Sequence, residues 1–345
     1  MKRTAIVILN YNGRDYLEKF LPSVVRFSND AEIIVADNAS TDDSIVFLQQ
    51  NYPLIRLIHN NENGGFAKGY NDALAKVKAD YFLLLNSDIE VTEDWLTPLV
   101  QEMEDETVAG CQPKVLSYRD KSHFEHAGAS GGFMDHNFYP FCRGRILEQF
   151  EKDNGQYDGE TEIFWATGAA LMIRADLFKK VGGFDEAFFA HMEEIDLCWR
   201  LKKMNYRFKV VPSSKIYHVG GGTLAYNSPR KLFLNFRNSL YMIVRNYEGW
   251  LFPKLFYRMC LDGVAAFHFL VKGEIKSFYC VFKAHYFFYR RLDVLLKQRK
   301  VIKETSTIYN KVGFYRASIL WARYFKRITK FSDLNSRFFI TDKDL

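Results

Sequence analysis

No stretch of about 18 uncharged apolar residues occurs in the 345-residue sequence, so a conventional membrane-spanning helix is not expected. Cysteine is scarce. Cys111, Cys142, Cys198, Cys260 and Cys280 are odd in number and irregularly spaced, which argues against a disulfide framework or a structural zinc site and for a reduced, cytoplasmic setting. A Gly-x-Gly-x-x-Gly following a strand and a Gly-Lys-Ser/Thr phosphate loop are both absent, so a typical nicotinamide enzyme and a Walker-type ATPase lose weight. The opening MKRTAIVILNYNG offers only Thr4 to Leu9 before Asn10, too short for a signal-peptide core, and no small-residue cleavage pattern follows. No internal repeat or low-complexity tract is evident. With 48% hydrophobic and 26% charged residues, the chain can bury a sizeable core in two or three domains, or in one large domain with an appendage.

The net charge of +6 hides an asymmetry. From Lys231 onward there are 22 Lys and Arg against 8 Asp and Glu, a net of +14. Residues 1–230 hold 25 against 33, a net of −8. A basic back on an acidic front calls for an anionic partner, phospholipid or nucleic acid.

The front alternates strands and helices. Thr4–Leu9, Ile33–Ala36, Ile55–Ile58 and Tyr81–Leu85 are short apolar runs. Between them, Asp15–Phe27, Asp42–Asn51 and Ala67–Lys76 carry helical patterns, the second with Ser40 or Thr41 as its expected cap. Repeats of about 25 residues predict an α/β fold, a mostly parallel central sheet flanked by helices, with ligands at the carboxyl ends of the strands. Asn10, Asp37, Asn38, Asn86 and Asp88 cluster at those ends. Gly128–Gly155 reads as loop-rich without firm assignment, and Glu162–Ile173 is an apolar segment broken at Thr167-Gly168. A helix is expected from Glu193 to about Met204, a strand at Phe208–Val211 and a flexible loop at Gly220–Gly222. The texture then turns aromatic and basic. A boundary near 230 divides a catalytic domain, 1–230, from a mainly helical extension, 231–345.

Several groups can carry chemistry. Asp88, at the tip of the buried run Leu83–Leu85, suits a hard divalent cation bridging phosphate oxygens, or else caps the next element. Asp37 could accept hydrogen bonds from a base or a ribose, or form an Asx turn. Asn63-Gly64-Gly65-Phe66-Ala67 opens a helix, where glycine allows close backbone approach and the helix N-terminus attracts phosphate. In His191-Met192-Glu193-Glu194-Ile195-Asp196, the spacing of Asp196 and Arg200 predicts an ion pair on one helix face. Glu194 has no basic partner at that spacing and is the preferred general base, with Glu193 second. His218, after a strand and beside glycines, is a structural histidine or a ligand for a cation near a pyrophosphate.

Taken together, the chain resembles family 2 glycosyltransferases of the Rossmann-like GT-A fold, especially rhamnosyltransferase-like enzymes of bacterial surface-polysaccharide synthesis. The likeness covers roughly residues 1–240. It rests on Ile8-Leu9-Asn10-Tyr11-Asn12, Ala36-Asp37-Asn38-Ala39-Ser40-Thr41-Asp42, Asn63-Gly64-Gly65-Phe66-Ala67, Asn86-Ser87-Asp88, Gly182-Gly183-Phe184-Asp185-Glu186, Glu193-Glu194-Ile195-Asp196-Leu197 and His218, in that order. It implies an inverting enzyme in which Glu194 deprotonates an acceptor hydroxyl that displaces a nucleoside diphosphate. Asn10, Asn12, Asp37, Asn38, Ser40, Asn63, Gly65, Asn71, Asn86, Ser87 and Gly168 would form the nucleotide and donor site. Asp88 and His218 would hold Mg²⁺ or Mn²⁺, with Asn86 standing where the family's metal motif has its first Asp. The implied donor is a UDP- or dTDP-sugar, dTDP-rhamnose among them, and the acceptor lipid-linked or a glycan.

The tail adds a location. Phe236, Leu240, Ile243, Val244 and Tyr247 form a helical stripe. Leu251–Val271 and Ile275–Tyr289 are aromatic-rich but interrupted by Lys254, Arg258, Asp262, Lys272, Lys276, Lys283 and Arg290. That mixture suits the surface of an anionic membrane rather than its interior, so a peripheral place on the inner face of the cell membrane is expected, with a packed lid or a homo-oligomer interface as the alternative. No nucleic-acid module is present. Two other functions compete: a nucleotidyltransferase, disfavoured because Asn10-Tyr11-Asn12-Gly13 stands where that chemistry needs a basic glycine-rich loop, and a catalytically degenerate scaffold.

Overall fold

The computed structural model describes residues 2–220 and 228–344. Gly221 and Gly222 of the expected loop lie outside the described residues. The front of the chain is built from β1 (Thr4–Asn10), α1 (Arg14–Phe27), β2 (Ala31–Asp37), α2 (Ser44–Asn51), β3 (Arg56–His59), α3 (Gly65–Leu74) and β4 (Tyr81–Asn86). Strands β3, β2, β1 and β4 lie side by side and parallel. Their register sets Asn10 opposite Asp37 and Leu9 opposite Asn86, so the polar strand ends share one rim. Apolar runs such as Tyr81–Leu85 are fully buried because helices cover both faces of the sheet.

The sheet continues in mixed sense through β5 (Ile89–Val91), β6 (Val108–Ser117), β11 (Thr161–Ile163), β12 (Ala170–Arg174) and β13 (Arg207–His218), with α4 (Leu96–Glu102), α5 (Ala175–Lys180) and α6 (Glu193–Lys202) between them. Antiparallel β12 runs beside β4, bringing Thr167–Ala169 to the same rim, where Asn86 N–H donates to the Ala169 carbonyl at 2.9 Å. The strand expected at Phe208–Val211 extends to His218, and β5 pairs with its far end, opposing His218 to Ile89.

Gly128–Gly155 is not a plain loop. It contains β7 (Gly132–Asp135), β8 (Pro140–Cys142), β9 (Arg145–Ile146) and β10 (Gln149–Phe150), which make a second sheet. The fifth strand of that sheet is β14 (Phe314–Tyr315), parallel to β7. A further difference lies at α2, where neither Ser40 nor Thr41 caps the helix; Asp42 accepts the Ser44 N–H instead.

The C-terminal part is α7 (Pro229–Asn246), α8 (Leu251–Val271), α9 (Ile275–Thr305), β14 and α10 (Ile319–Tyr324). Ser228 caps α7, with Pro229 in its first turn. Leu240, Ile243 and Val244 of the expected stripe are fully buried, and α7 packs against α6 and α9. Arg258 and Asp262 do not belong to the exposed face of α8. They point inward as an ion pair, with Arg258 stacked 3.9 Å from the Tyr139 ring centroid.

Candidate active site

A cleft of about 560 Å³ opens at the carboxyl rim of the sheet, bounded by α6, α7 and the second sheet. Asn12, Asn38, Asn63, Gly65, Asn86, Ser87, Asp88, Gly168, Glu193, Glu194 and His218 all line it.

On the side of β1–β3 the strand ends are tied by amides and hydroxyls. Asn10 donates to Asp37 Oδ1 and Ser40 Oγ, both at 3.1 Å, and Ser40 N–H donates to Asp37 Oδ2 at 3.0 Å. Asn12 accepts from the Thr41 N–H at 2.7 Å. Asn38 donates to Asn63 Oδ1 at 3.0 Å and to the Gly65 carbonyl at 3.1 Å. Asn10, Asp37 and Ser40 therefore stand behind the cleft lining and brace it, while Asn12, Asn38 and Asn63 face it. Asn71 lies outside, both ends of its amide bound to the backbone of Phe184.

The second corner is acidic. The Asp88 Oδ1 to His218 Nε2 distance is 3.1 Å, and Asp88 Oδ2 accepts from the Gly220 N–H at 3.2 Å. The other His218 nitrogen meets Glu125 Oε2 at 3.1 Å, and Asn86 Nδ2 is 3.4 Å from Nε2. Burial alone would lower the His218 pKa, but the carboxylates of Asp88 and Glu125 outweigh it and raise it to about 10. Glu125 feels burial upward and His218 downward, and falls to about 2. Glu125 was missed by the sequence reading, since a lone Glu in Phe124-Glu125-His126-Ala127 acquires meaning only when β13 brings His218 beside it.

The third corner is the start of α6. Asp196 is structural: it binds Arg200 at 2.9 Å, as its spacing predicts, and also Arg245 at 2.8 Å and Asn246 at 2.7 Å. Glu193 is buried and Glu194 half-buried, and each has a buried Oε2 with no hydrogen-bond partner among the described residues. Burial raises the Glu194 pKa to about 7. Glu193 rises further, first from burial and then from the adjacent Glu194.

The backbone leading to this pair is strained. Phe189, His191 and Met192 have φ of +64°, +71° and +73°. Gly65, at φ +78°, allows the contact that supports them: a Cβ there would collide with the Phe189 carbonyl and ring, and Ala67 N–H donates to that carbonyl at 3.1 Å. The glycine motif at the start of α3 thus docks the loop that carries the carboxylates. At Gly168 a Cβ would sit 3.7 Å from the Glu194 Cβ and 3.0 Å from the Phe66 ring, so glycine keeps the cleft open beside Glu194.

The sequence profile of the Glycosyl transferase family 2 matches residues 5–182. The chain is 24% identical to an N-acetylglucosaminyl-diphospho-decaprenol L-rhamnosyltransferase of Mycobacterium tuberculosis, over 79% of this chain and 94% of that protein. It is 28% identical to the rhamnosyltransferase WbbL of Escherichia coli, over 62% of this chain and 82% of that protein. Among solved structures, a mannosyltransferase from Pyrobaculum calidifontis in complex with GDP-Man and Mn²⁺ aligns at a TM-score of 0.52 and 15% identity, covering 88% of this chain and 86% of that one. GalNAc-T7 with UDP, GalNAc and Mn²⁺ aligns at 0.55 and 16%, covering 71% of this chain and 48% of that one. These structures share the GT-A fold expected from the sequence.

Proposed function

The chain belongs to glycosyl transferase family 2, and from that premise we propose that it moves a sugar, with inversion, from a UDP- or dTDP-linked donor to a lipid-linked acceptor. The observation that carries the reading is one cleft holding both a half-buried carboxylate with a pKa near 7, Glu194, and the pair of Asp88 and His218. A base works best with a pKa near the working pH and contributes about 10²–10⁴-fold. Glu194 takes the proton of the acceptor hydroxyl as that oxygen forms its bond to the anomeric carbon, and the nucleoside diphosphate leaves from the opposite face. Burial and the adjacent Glu194 favour the neutral form of Glu193, which limits the negative charge beside the attacking oxygen. Asn12, Asn38 and Asn63 orient the nucleotide, braced by Asn10, Asp37 and Ser40.

The residues fit a divalent cation. Asp88 presents a carboxylate to it, and His218, which holds its proton between Asp88 and Glu125, would add a nitrogen donor only on giving up that proton as the ion binds. Mg²⁺ and Mn²⁺ bound with a nucleotide take much of their coordination from substrate phosphates and water, so one carboxylate such as Asp88 can anchor them. When bound, the ion would neutralise charge on the departing diphosphate.

The reading also places α8 and α9 on an anionic phospholipid surface. Ile275, Tyr279, Phe282, Tyr286 and Tyr289 are exposed at i, i+4, i+7, i+11 and i+14 of α9, and Phe252, Phe256, Phe267 and Val271 share one face of α8. Lys272, Lys276, Lys283 and Arg290 lie among them, and no described helix is long and apolar enough to cross a membrane. Such a surface would bring a lipid-linked acceptor to the cleft.

The test is calorimetry of the purified chain with UDP-, dTDP- and GDP-sugars in Mg²⁺ or Mn²⁺, with EDTA controls, alongside nucleoside diphosphate release. Metal-dependent binding of one pyrimidine donor is expected. Folded protein that binds no donor would turn the reading toward a scaffold.

A further inference from the structure

Five arginines are buried: Arg145, Arg174, Arg200, Arg245 and Arg258. Arg174 donates to three backbone carbonyls, Arg200 and Arg245 bind Asp196, and Arg258 binds Asp262. Arg145 differs. It is 7% exposed and lines the cleft, yet no carboxylate or carbonyl pairs with its guanidinium among the described residues; the Cys142 thiol is its neutral neighbour, and its Nε is unsatisfied. A buried cation without an anionic partner costs several kcal/mol, and such an arrangement persists where a ligand supplies the missing anion.

A second observation points the same way. His191, on the strained loop, lines the same cleft and has a buried Nε2 with no partner. Lys231, at the start of α7, and His126 lie close enough to act on these groups. Burial first, and Lys231 second, lower the His191 pKa to about 4; burial first, and Arg145 second, lower that of His126 to about 3. Among the carboxylates lining the cleft, Glu125 acts on Lys231 and His126 and is engaged with His218, while Glu193 and Glu194 follow His191 at the start of α6. Positive charge and N–H donors thus converge on one wall of the cleft.

We propose that Arg145 and His191, flanked by His126 and Lys231, form an anion subsite that grips the diphosphate of the lipid-linked acceptor. This rests on the transferase reading above. The planar guanidinium of Arg145 offers two parallel N–H donors to phosphate oxygens, and His191 offers a third. The donor's own diphosphate is read at the corner of Asp88 and His218, which Glu125 joins to this wall. Arg145 instead comes from the second sheet, and Lys231 lies on α7, whose Asn238 donates to the His191 carbonyl at 2.7 Å and which leads into the part that carries the aromatic surface. A lipid diphosphate entering along that surface would meet these residues before its sugar reaches Glu194.

The test uses the full chain and two probes, farnesyl diphosphate and farnesol, titrated by calorimetry with the donor site empty and then filled by saturating UDP or dTDP with Mg²⁺. Farnesyl diphosphate should bind in both conditions and farnesol should not. Arg145→Gln and His191→Ala should each weaken that binding by roughly tenfold or more, as losing a charge-assisted hydrogen bond does, while leaving nucleoside diphosphate affinity within about twofold. Arg145→Lys, which retains the charge but not the fork, should fall between wild type and Arg145→Gln, and guards against a Gln variant that does not fold. Competition by UDP or dTDP would assign the anion site to the donor and overturn the proposal, as would unchanged binding in the folded Arg145 variants. Failure of the transferase reading shows separately, as wild-type protein that binds no nucleoside diphosphate.

Discussion

Replacing Glu194 by Gln should separate the catalytic value of this carboxylate from its structural cost. Its pKa rises from an ordinary 4.5 to about 7, because burial disfavours the charged form. Below pH 4.5 the folded and unfolded states both hold the proton, and Glu194 costs nothing. Between 4.5 and 7 the folded state keeps a proton that the unfolded state has lost, so stability falls as pH rises. Above pH 7 both are ionised and the whole penalty applies. At about 1.4 kcal/mol per pH unit across that interval, it amounts to roughly 3 kcal/mol at most. Glu194→Gln removes this share and relieves Glu193 of a neighbouring charge. The variant should therefore resist urea better than wild type at pH 8 and equally at pH 4.5. Turnover should fall about 10²–10⁴-fold with donor affinity retained, and in wild type kcat/KM should decline as pH drops below about 7. Parallel stability–pH curves for the two proteins would refute the burial argument. Turnover surviving the substitution would refute the base assignment.

Other perturbations test the frame around that carboxylate. Asp196→Asn leaves Arg200 and Arg245 buried beside a neutral amide, with Asp185 the remaining carboxylate on Arg245, and urea denaturation should show a loss of about 3–5 kcal/mol; a loss below about 1 kcal/mol would mean that Asp185 alone suffices for Arg245. Gly65→Ala places a methyl against the Phe189 carbonyl and forces a non-glycine residue to φ +78°. It should cost about 1–3 kcal/mol and lower kcat through the displaced loop, and wild-type kinetics in the alanine variant would contradict the docking role. Co-sedimentation should show binding to phosphatidylglycerol vesicles, weaker binding to neutral phosphatidylcholine, and loss with Lys272, Lys276 and Lys283 changed to Gln, each lysine contributing about 1 kcal/mol near the surface. Equal binding to both vesicle types would remove the electrostatic part of the membrane reading.

What was legible in the sequence was local. Apolar runs ending in polar residues are decided within a few positions, which is why Asn10, Asp37 and Asn86 could be placed on one rim before their register was known. The ion pair of Asp196 and Arg200 follows from helical spacing alone. The second sheet was not legible, because its strands are two to four residues long and one comes from Phe314–Tyr315, far along the chain; no periodicity develops in so short a run. Arg258 and Asp262 look in sequence like charges interrupting a membrane-facing helix. Only the packing of α8 on Tyr139 and the neighbouring carbonyls of Asn137 and Phe138 turns them inward. Glu125 and Arg145 stayed hidden for the same reason, since each is defined by a neighbour from a distant segment or by the lack of one.

The strained loop shows why the C-terminal helices matter to the chemistry. Three residues at positive φ between Phe189 and Met192 cost about 1–2 kcal/mol each, and the local sequence has no glycine to relieve them. The offset comes from α7. The Asn238 amide donates to the carbonyls of Phe188, Ala190 and His191 at 2.9, 2.9 and 2.7 Å, and Arg237 donates to those of Ala187 and Phe188 at 2.8 and 3.1 Å. Near the other end of α7, Arg245 and Asn246 bind Asp196 on α6, below the first turn that presents Glu193 and Glu194. One helix therefore fixes the carboxylates from both sides, and the same chain continues directly into the aromatic surface of α8 and α9. On the function proposed above, a force that seated α8 and α9 on a membrane would act through α7 on the loop that carries His191 and leads to Glu194, so the position of the proposed base and the approach of a lipid-linked acceptor would be set by one element.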